Sequence, residues 1–535
     1  MTAPKDGLLR IVVAEHLPEA GWQALHAAPD VEVVGPFPEG AALHTALRDA
    51  DALILRGATT VDEALLDAAP RLKAVARAGA RLENVDMEAC TRRGILVLHV
   101  PYANVFAVAE HTFGMLLAAV RHVPEGAAAI QRGEFPRHEL MGTQLHGKTM
   151  GIIGFGRLGR AVAARALAFG LRVLVYDPYI DLSFAHERGV EVLALDELLA
   201  RCDILSLHTV LTHRTERMLD AAALARLKPG AVLVNCTHAG LLDEAALLDA
   251  LDSGRVARAA LDTVQQEPPA PDHPLLRHPR VLAVPHLNQN TVESQAATGR
   301  EIVADLLAAL RGEDFGRVAN LPFDEQQPYR DAAPYLHLAA KLGKLQGQMA
   351  GGWIERVEVE VLGEGLSRYV RPIAASLLTG MLRPVDGRAV NWISAPTLAH
   401  DQGIVTAQRQ DLVSLGDYPN LLACRIAWPG GSRTVVGVLF ANGEARLVQF
   451  EGYRIDAHPE GEVIVIENED VPGVIGRVGT MLGDHGININ NWRYGRAAHG
   501  GRALSFINVD SRVPDDALRA LASADEIHSA RRVHL

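Results

Sequence analysis

Cysteine is scarce in this chain, with four residues among 535: Cys90, Cys202, Cys236 and Cys424. They are widely separated and form no CxxC pair, which argues against a zinc site and against a disulfide framework. We therefore predict four reduced thiols, mostly buried, and no metal site.

Long apolar runs and basic segments are missing as well. No stretch approaches the 18 apolar residues of a membrane-spanning helix, and the opening MTAPKDGLLRIVVAEHL lacks the apolar centre of a signal peptide. The formal net charge of −12 argues against nucleic acid as a partner. We expect a cytoplasmic protein without a membrane or nucleic-acid partner.

The remaining sequence alternates short apolar runs with helical patterns, which predicts parallel α/β sheets. One such series occupies residues 8–100, a longer helix covers about 105–122, and a second series begins at KTMGIIGFG. The last 74 residues read as strand, helix, two strands, helix and strand, a βαββαβ module. A chain of this length requires several cores, and we expect three or four domains.

A glycine motif gives the sharpest local signal. Gly154, Gly156 and Gly159 form G-x-G-x-x-G between a strand and a helix, and Asp177 ends the next strand eighteen residues later. Glycines permit the tight turn and a close approach of the backbone to a pyrophosphate, and the carboxylate accepts hydrogen bonds from a ribose. The pattern predicts NAD binding, with NAD favoured over NADP; the alternative is a glycine turn that binds nothing.

Polar residues also follow two later strands, with Asp262 and Glu267 after one and His286 after the other. The carboxyl ends of parallel strands form the ligand edge of such a sheet. A histidine oriented by a carboxylate can exchange a proton with a hydroxyl or keto oxygen during hydride transfer. We predict His286 as the general acid/base and Glu267 as its partner; the alternative is a surface histidine near a proline turn.

These motifs, together with DTVQQEPP, VPHLNQNTVESQ, LHGKTMGIIGFGRLGRAVA and ENEDVPGVIGRVGTMLGDHGININN, resemble the D-isomer-specific 2-hydroxyacid dehydrogenases, in a long form that ends in an ACT regulatory module. The resemblance implies a Rossmann-like NAD domain inserted in a flavodoxin-like substrate domain, followed by an α+β intermediate domain and a ferredoxin-like ACT domain. The implied limits are 1–103 and 288–316 for the substrate domain, 104–287 for the NAD domain, 317–456 for the intermediate domain and 460–535 for the ACT domain.

The resemblance also assigns residues to sites. Asp262 would meet the nicotinamide carboxamide, and Arg157, Leu158 and His208 would join the glycines and Asp177 in the cofactor site. The substrate site would contain Arg56 and Asn84, with Arg137 reaching the substrate phosphate from a neighbouring subunit. An amino-acid effector, usually serine, would bind at Asn468, Asp470 and Asn488, although ordinary turn polarity is an alternative for these three residues.

Two loops depart from the family pattern. VNCTHAG has His238 where the pattern N-C-A-R-G-G has the arginine that clamps the substrate carboxylate, and RAGARLEN has Arg81 where R-A-G-V-G-V-D-N has glycine. Imidazole cannot reproduce the two charged hydrogen bonds of a guanidinium. We hypothesise that Arg81 supplies the clamp lost at His238; the alternative is drift in a protein with weak turnover.

The implied reaction is NAD-dependent oxidation of 3-phospho-D-glycerate to 3-phosphohydroxypyruvate, the first step of serine synthesis. Two alternatives stay open because of the altered loops: a dehydrogenase of another 2-hydroxyacid, and a catalytically impaired effector-binding protein. We expect a homodimer or homotetramer, because the family dimerises near the helix at 105–122 and a βαββαβ module exposes sheet edges.

Overall fold

The computed structural model describes residues 8–37, 40–180, 189–321, 329–382, 390–413, 418–496 and 501–535. The chain forms two compact units. One unit contains the segment up to Leu17, Trp22–Val100 and Ile302–Leu535, and the other contains Pro18–Gly21 and Pro101–Glu301.

The first sheet of the first unit has five parallel strands in the order β2-β1-β3-β4-β5. The strands are β1 Leu9–Val13, β2 Val31–Val34, β3 Ala52–Leu55, β4 Ala74–Arg77 and β5 Leu96–His99. The helices are Glu19–His26, Ala41–Leu47, Glu63–Asp67 and Met87–Arg92. This strand order is that of the flavodoxin-like fold, as predicted.

The second unit contains a seven-stranded parallel sheet in the order β12-β11-β10-β9-β6-β7-β8. The strands are β6 Thr149–Ile153, β7 Arg172–Tyr176, β8 Glu191–Val192, β9 Ile204–Leu207, β10 Ala231–Asn235, β11 Val256–Leu261 and β12 Val281–Ala283. The helices are Val105–Val120, Val123–Gln131, Arg157–Ala168, Leu195–Arg201, Ala221–Ala225, Glu244–Asp252 and Pro274–Arg277. A further helix, Val292–Arg311, begins in this unit and ends in the first. From β6 the chain continues to β7 on one side of β6 in the sheet, and it later returns to β9 on the other side. A ligand is therefore expected at the carboxyl ends of β6 and β9, where the strand order reverses.

Two further sheets complete the first unit. The intermediate sheet has the order β14-β13-β15-β16-β17-β18 and is antiparallel except between β13 and β14. Its strands are β13 Arg356–Gly363, β14 Val405–Gln408, β15 Asn420–Trp428, β16 Gly431–Leu439, β17 Ala445–Phe450 and β18 Tyr453–Ala457. Its helices are Tyr329–Met349, Val370–Met381 and Ser394–Asp401.

The last sheet is antiparallel, in the order β20-β21-β19-β22. Its strands are β19 Glu462–Glu469, β20 Ile489–Arg496, β21 Arg502–Val509 and β22 Ile527–His534, and its helices are Val474–Asp484 and Asp515–Ala522. The order of elements is the βαββαβ order that the sequence predicts. The mixed α/β fold class is therefore confirmed, while the predicted domain limits stay predictions.

The helix predicted at 105–122 is shorter than expected. It ends at Val120, and a second helix begins at Val123 after His122, which has a φ of +55°. A left-handed residue cannot continue an α-helix, so the chain turns at this point. Among the described residues, none of the helices has the length and apolarity needed to cross a membrane.

Candidate active site

The glycine motif lies at the carboxyl end of β6 and requires its glycines. Gly154 has a φ of +92°, and a Cβ there would lie 2.6 Å from the backbone N of Thr209. A Cβ on Gly159 would collide with the carbonyl oxygen of Gly154, whereas no atom of the described segments lies within 4 Å of a Cβ on Gly156. Two glycines therefore close the turn, and the third leaves open space where a phosphate can approach the backbone.

Asp177 and His208 lie at the ends of the strands next to β6. Asp177 accepts hydrogen bonds from the backbone N of Phe155 (2.8 Å) and of Tyr179 (2.9 Å), which fixes the carboxylate against the glycine turn. His208 is buried; its Nε2 contacts Ser206 Oγ at 2.7 Å, and its Nδ1 has no hydrogen-bond partner among the residues that the structure describes. Burial lowers the pKa of His208 to about 3, so the ring is neutral at physiological pH. A buried polar atom without a partner and an open glycine cradle both fit a bound dinucleotide.

His286 and Glu267 form a hydrogen-bonded pair. The Nδ1 atom of His286 lies 2.8 Å from Oε2 and 3.1 Å from Oε1 of Glu267. His286 is a non-glycine residue with a φ of +51°. Its side chain is 20% exposed, so the ring is partly shielded from water. This contact orients the imidazole and leaves Nε2 as the nitrogen that can exchange a proton.

Asp262 holds the segment around His286. Its buried carboxylate accepts hydrogen bonds from the backbone N of Leu287 (2.7 Å) and of Asn288 (3.1 Å), and it contacts His111 Nε2 at 2.9 Å. Asn288 Nδ2 donates to the carbonyl oxygen of Cys236 at 2.8 Å. His111 was not predicted as a site residue, because its contact with Asp262 joins segments far apart in the sequence.

His238 lies in a turn that immediately follows β10 and precedes the 3₁₀ helix Ala239–Leu241. Asn235 Nδ2 donates to the carbonyl oxygen of His238 at 2.8 Å, and Thr237 Oγ1 donates to the carbonyl oxygen of Leu207 at 3.1 Å. These side chains fix the turn at the same edge of the sheet as Asp262 and the glycine motif. His238 thus lies near the end of β10, and its predicted role in the site stays a prediction.

The predicted substrate residues of the first sheet are held by Glu15. Its carboxylate accepts backbone hydrogen bonds across residues 56–59, at 2.8 Å from Thr59 and at 3.1–3.2 Å from Arg56, Gly57 and Ala58. Burial alone would raise the pKa of Glu15, but these hydrogen bonds outweigh burial and lower it. Asn84 Nδ2 donates to the carbonyl oxygens of Arg56 (3.0 Å) and Thr59 (2.7 Å). Arg56 and Asn84 are therefore brought together.

Arg77 is a further cation of this region that was not predicted. It ends β4 opposite Leu55 of β3, is 8% exposed, and donates from Nε to the carbonyl oxygen of Arg56 at 3.0 Å. Glu83 lies 3.9 Å from Arg77 Nη2 and 3.0 Å from Arg81 Nε. Burial, partly offset by Glu83, lowers the pKa of Arg77. Arg77 ends β4, and β4 lies beside β3, the strand that leads to Arg56. This position at a strand end is the signal that could have identified Arg77.

The remaining predicted residues lie elsewhere. Arg137 belongs to the second unit and is exposed on the segment after helix Val123–Gln131. In the last sheet, the hydroxyl of Tyr494 donates to Asp470 Oδ1 at 3.1 Å and lies 3.3 Å from Asn468 Nδ2, so it connects these two residues. Asn488 Nδ2 donates to Asp510 Oδ2 at 2.5 Å.

The chain was compared with protein-family models. The NAD binding domain of the D-isomer specific 2-hydroxyacid dehydrogenases matches residues 113–288. The D-3-phosphoglycerate dehydrogenase intervening domain matches residues 331–451, and the ACT domain matches residues 463–526. The fold, the glycine cradle and these matches define an NAD-dependent 2-hydroxyacid dehydrogenase.

Relatives that match nearly the whole chain show which family of these dehydrogenases it belongs to. D-3-phosphoglycerate dehydrogenase from Methanocaldococcus jannaschii is 35% identical over 529 residues, covering 99% of this chain and 100% of the relative. The enzymes of the same name from Bacillus subtilis (34% over 530 residues, 99% and 100% covered) and Mycobacterium tuberculosis (37% over 527 residues, 98% and 99% covered) are also similar. The chain belongs to the D-3-phosphoglycerate dehydrogenase family.

Two solved structures are similar to about three fifths of the chain. The TT0316 protein from Thermus thermophilus has a TM-score of 0.54 at 34% identity, and covers 58% of this chain and 100% of its own. A glyoxylate reductase from Paecilomyes thermophila has a TM-score of 0.52 at 30% identity, covering 58% and 97%.

Proposed function

We propose that this protein oxidises 3-phospho-D-glycerate to 3-phosphohydroxypyruvate with NAD, as the first step of serine synthesis. The observation that carries the proposal is the His286–Glu267 pair, with Nδ1 and Oε2 2.8 Å apart, in a chain with full-length relatives named D-3-phosphoglycerate dehydrogenase. We predict that the protein works in the cytoplasm. The reverse reaction, reduction of 3-phosphohydroxypyruvate with NADH, is the more convenient direction to assay.

The residues divide the chemistry as follows. NAD, when bound, would supply the hydride acceptor. His286 takes the hydroxyl proton at Nε2, while Glu267 stabilises the resulting imidazolium and fixes the ring. Asp262 and His208 would hold the nicotinamide, and the ribose and phosphates would be held by Asp177, Gly154, Gly156, Arg157, Leu158 and Gly159.

Arginines account for a substrate with two acidic groups. Arg56, supported by Arg77 and Asn84, suits a phosphate, since a guanidinium donates two parallel hydrogen bonds to it. Arg137 would add a further contact from a neighbouring subunit. The substrate carboxylate falls to Arg81 in this proposal, because His238 stands where the family pattern has the clamping arginine.

The test is NADH oxidation with 3-phosphohydroxypyruvate, compared with 2-oxoglutarate, pyruvate, glyoxylate and hydroxypyruvate. We expect the highest kcat/KM for 3-phosphohydroxypyruvate. A clear preference for another acid would replace the proposed substrate while keeping the enzyme class. Binding of NADH and serine without any turnover would instead support an effector-binding protein.

Another 2-hydroxyacid is the second candidate, because Arg81 already has an acidic partner in Glu83, with Nε and Oε1 3.0 Å apart. In the same assay, Arg81→Ala should raise KM if Arg81 clamps the carboxylate, whereas Arg92→Ala, at an exposed arginine paired with Glu63, should not. An unchanged KM for Arg81→Ala would reject the clamp. His238→Arg should then raise kcat/KM if the site drifted, and should lower it or leave it unchanged if Arg81 took over.

Regulation and assembly complete the proposal. We propose serine as an effector at Asn468, Asp470 and Asn488, because amide and carboxylate groups suit an amino acid, and added serine in the assay tests this.

We also propose a homodimer or homotetramer. The segment that follows helix Val105–Val120 exposes several large apolar side chains, which supports a contact with a second copy: Val123, Ile130, Phe135 and Met141.

A further inference from the structure

Tyr102 packs against the first residue of the helix that follows the glycine motif. The Cζ atom of Arg157 lies 3.7 Å from the centroid of the Tyr102 ring, well inside the roughly 6 Å range of a cation–π contact. Tyr102 belongs to the loop PYANV at residues 101–105, which leads into helix Val105–Val120.

Arg157 occupies an electrostatically unusual position. Helix Arg157–Ala168 begins after Gly156, which provides no side-chain cap, and its first turn contains no acidic residue. The N-terminal end of a helix carries a partial positive charge, so a cation there is disfavoured unless a compensating group is present. The electron-rich face of the ring provides this compensation before a ligand binds, and a phosphate would then meet the backbone amides and the guanidinium together.

The loop that carries Tyr102 is itself anchored. Asn104 Nδ2 donates to Gln289 Oε1 at 3.0 Å, and Gln295 Nε2 donates to the carbonyl oxygen of Gln289 at 3.2 Å. The backbone N of Val105 donates to the carbonyl oxygen of Tyr102 at 3.2 Å. The ring is therefore presented by a fixed backbone that is bonded to the segment just after His286.

We propose that Tyr102 is a positioning residue that holds the Arg157 guanidinium at the helix N-terminus for the pyrophosphate of the dinucleotide. The inference rests on the NAD site of the proposed function. A long flexible side chain loses rotamer freedom when it binds a ligand, and prior contact with the ring removes part of that cost. Tyr102 should therefore affect cofactor affinity and leave the chemical step unchanged.

The experiment compares NADH affinity by fluorescence titration in Tyr102→Ala, Tyr102→Leu and Tyr102→Phe. Alanine and leucine should each weaken NADH binding by about 3- to 10-fold, because neither has a π face, while phenylalanine should retain the wild-type Kd. KM for NAD should rise in the same ratio with kcat at saturation unchanged. Leucine preserves most of the volume, so it separates a cation–π effect from lost packing, and a folded leucine variant suffices if the alanine variant is unstable.

Phe106→Ala is the matched control. Phe106 contacts Arg165, which lies on the same helix as Arg157, and the Cζ atom of Arg165 is 5.9 Å from the centroid of the Phe106 ring. Arg165 also pairs with Glu110 at 3.1 Å. Its removal should leave the Kd for NADH unchanged. Combining Tyr102→Ala with Arg157→Gln should weaken binding no more than Arg157→Gln alone, because both changes remove the same contact.

The inference is overturned if wild-type protein binds NADH and Tyr102→Leu binds it equally well, or if the losses in the double variant add. Wild-type protein that binds no NADH would overturn the proposed NAD site first, and this inference with it. The two failures are therefore distinguishable in one set of titrations.

Discussion

At the scale of the residue, His286 combines an unfavourable backbone with a well-supported side chain. Its φ of +51° costs conformational energy in a non-glycine residue. The backbone N of His286 bonds the carbonyl oxygens of Asp262 and Val284, both at 3.0 Å, and the Asp262 carboxylate holds the next two amides. Strain that so many bonds maintain is typical of a site where orientation matters.

The first prediction concerns Glu267→Gln. A neutral amide can still contact the ring, but it does not stabilise a charged imidazolium, so kcat for 3-phosphohydroxypyruvate reduction should fall by roughly 10²-fold. The Kd for NADH should stay at its wild-type value. Steady-state kinetics and a fluorescence titration measure the two quantities.

Glu197→Gln is the control for this change, because Glu197 forms an exposed pair with Arg201 on a helix of the same unit. It should leave kcat unchanged. Adding Glu267→Gln to a His286→Asn variant should cause no further loss, since both residues act in one proton transfer. A further loss of tenfold or more would show that Glu267 has an independent role.

Single residues were predictable where the chemistry follows from a strand end in the sequence. Gly154 and Asp177 directly follow strands, and Glu267 and His286 lie in the segments that follow β11 and β12. Arg77 and His111 were missed because their importance comes from long-range contacts, with the carbonyl oxygen of Arg56 and the carboxylate of Asp262. The roles assigned to all the site residues stay predictions.

At the scale of the element, two helices of the intermediate domain pack unusually closely. Gly343 of Tyr329–Met349 faces the carbonyl oxygen of Leu377, and Gly380 of Val370–Met381 faces that of Ala340. Ser376 Oγ donates across the same contact to the carbonyl oxygen of Leu336 at 2.6 Å. A hydrogen in place of a methyl group at each glycine sets the distance between the helices.

We predict that Gly343→Ala destabilises this domain by about 1–3 kcal/mol, because the new methyl group collides with backbone that cannot move without separating the helices. Gly476→Ala is the matched control at an exposed position of helix Val474–Asp484, where a Cβ meets nothing within 4 Å. This change should stabilise by about 0.5–1 kcal/mol through its higher helix propensity. Calorimetric melting measures both, and a Gly343→Ala transition at or above the wild-type temperature contradicts the packing argument.

Elements were predictable where apolar periodicity and turn residues agree, and the βαββαβ order of the last sheet is one example. The break between Val120 and Val123 was not predictable, because VRHVP continues the apolar pattern of the helix and contains no glycine. Proline at the start of the second helix was the local signal, since proline favours the first turn.

At the scale of the whole molecule, each thiol lies in a different hydrophobic core. Cys90 belongs to the core of the first sheet and Cys424 to that of the intermediate sheet. Cys236 and Cys202 belong to two cores of the nucleotide sheet. All four are buried, as the sequence predicted. Thiol chemistry therefore reports separately on the first sheet, the intermediate sheet and the nucleotide sheet, with two thiols in the nucleotide sheet.

The last prediction follows from this distribution. Burial raises the pKa of each of the four thiols to about 12. A raised pKa keeps the thiol protonated at pH 8, whereas an unfolded cysteine with a pKa of about 8.5 is substantially ionised there. Native protein should therefore give almost no reaction with Ellman's reagent, and denatured protein should give four thiols.

At intermediate urea concentrations, mass spectrometry should find Cys202 and Cys236 labelled together, because both cores share one sheet. Added NADH should delay the labelling of these two thiols alone. Rapid labelling of any thiol in the native protein, or equal protection of all four by NADH, would contradict separate cores.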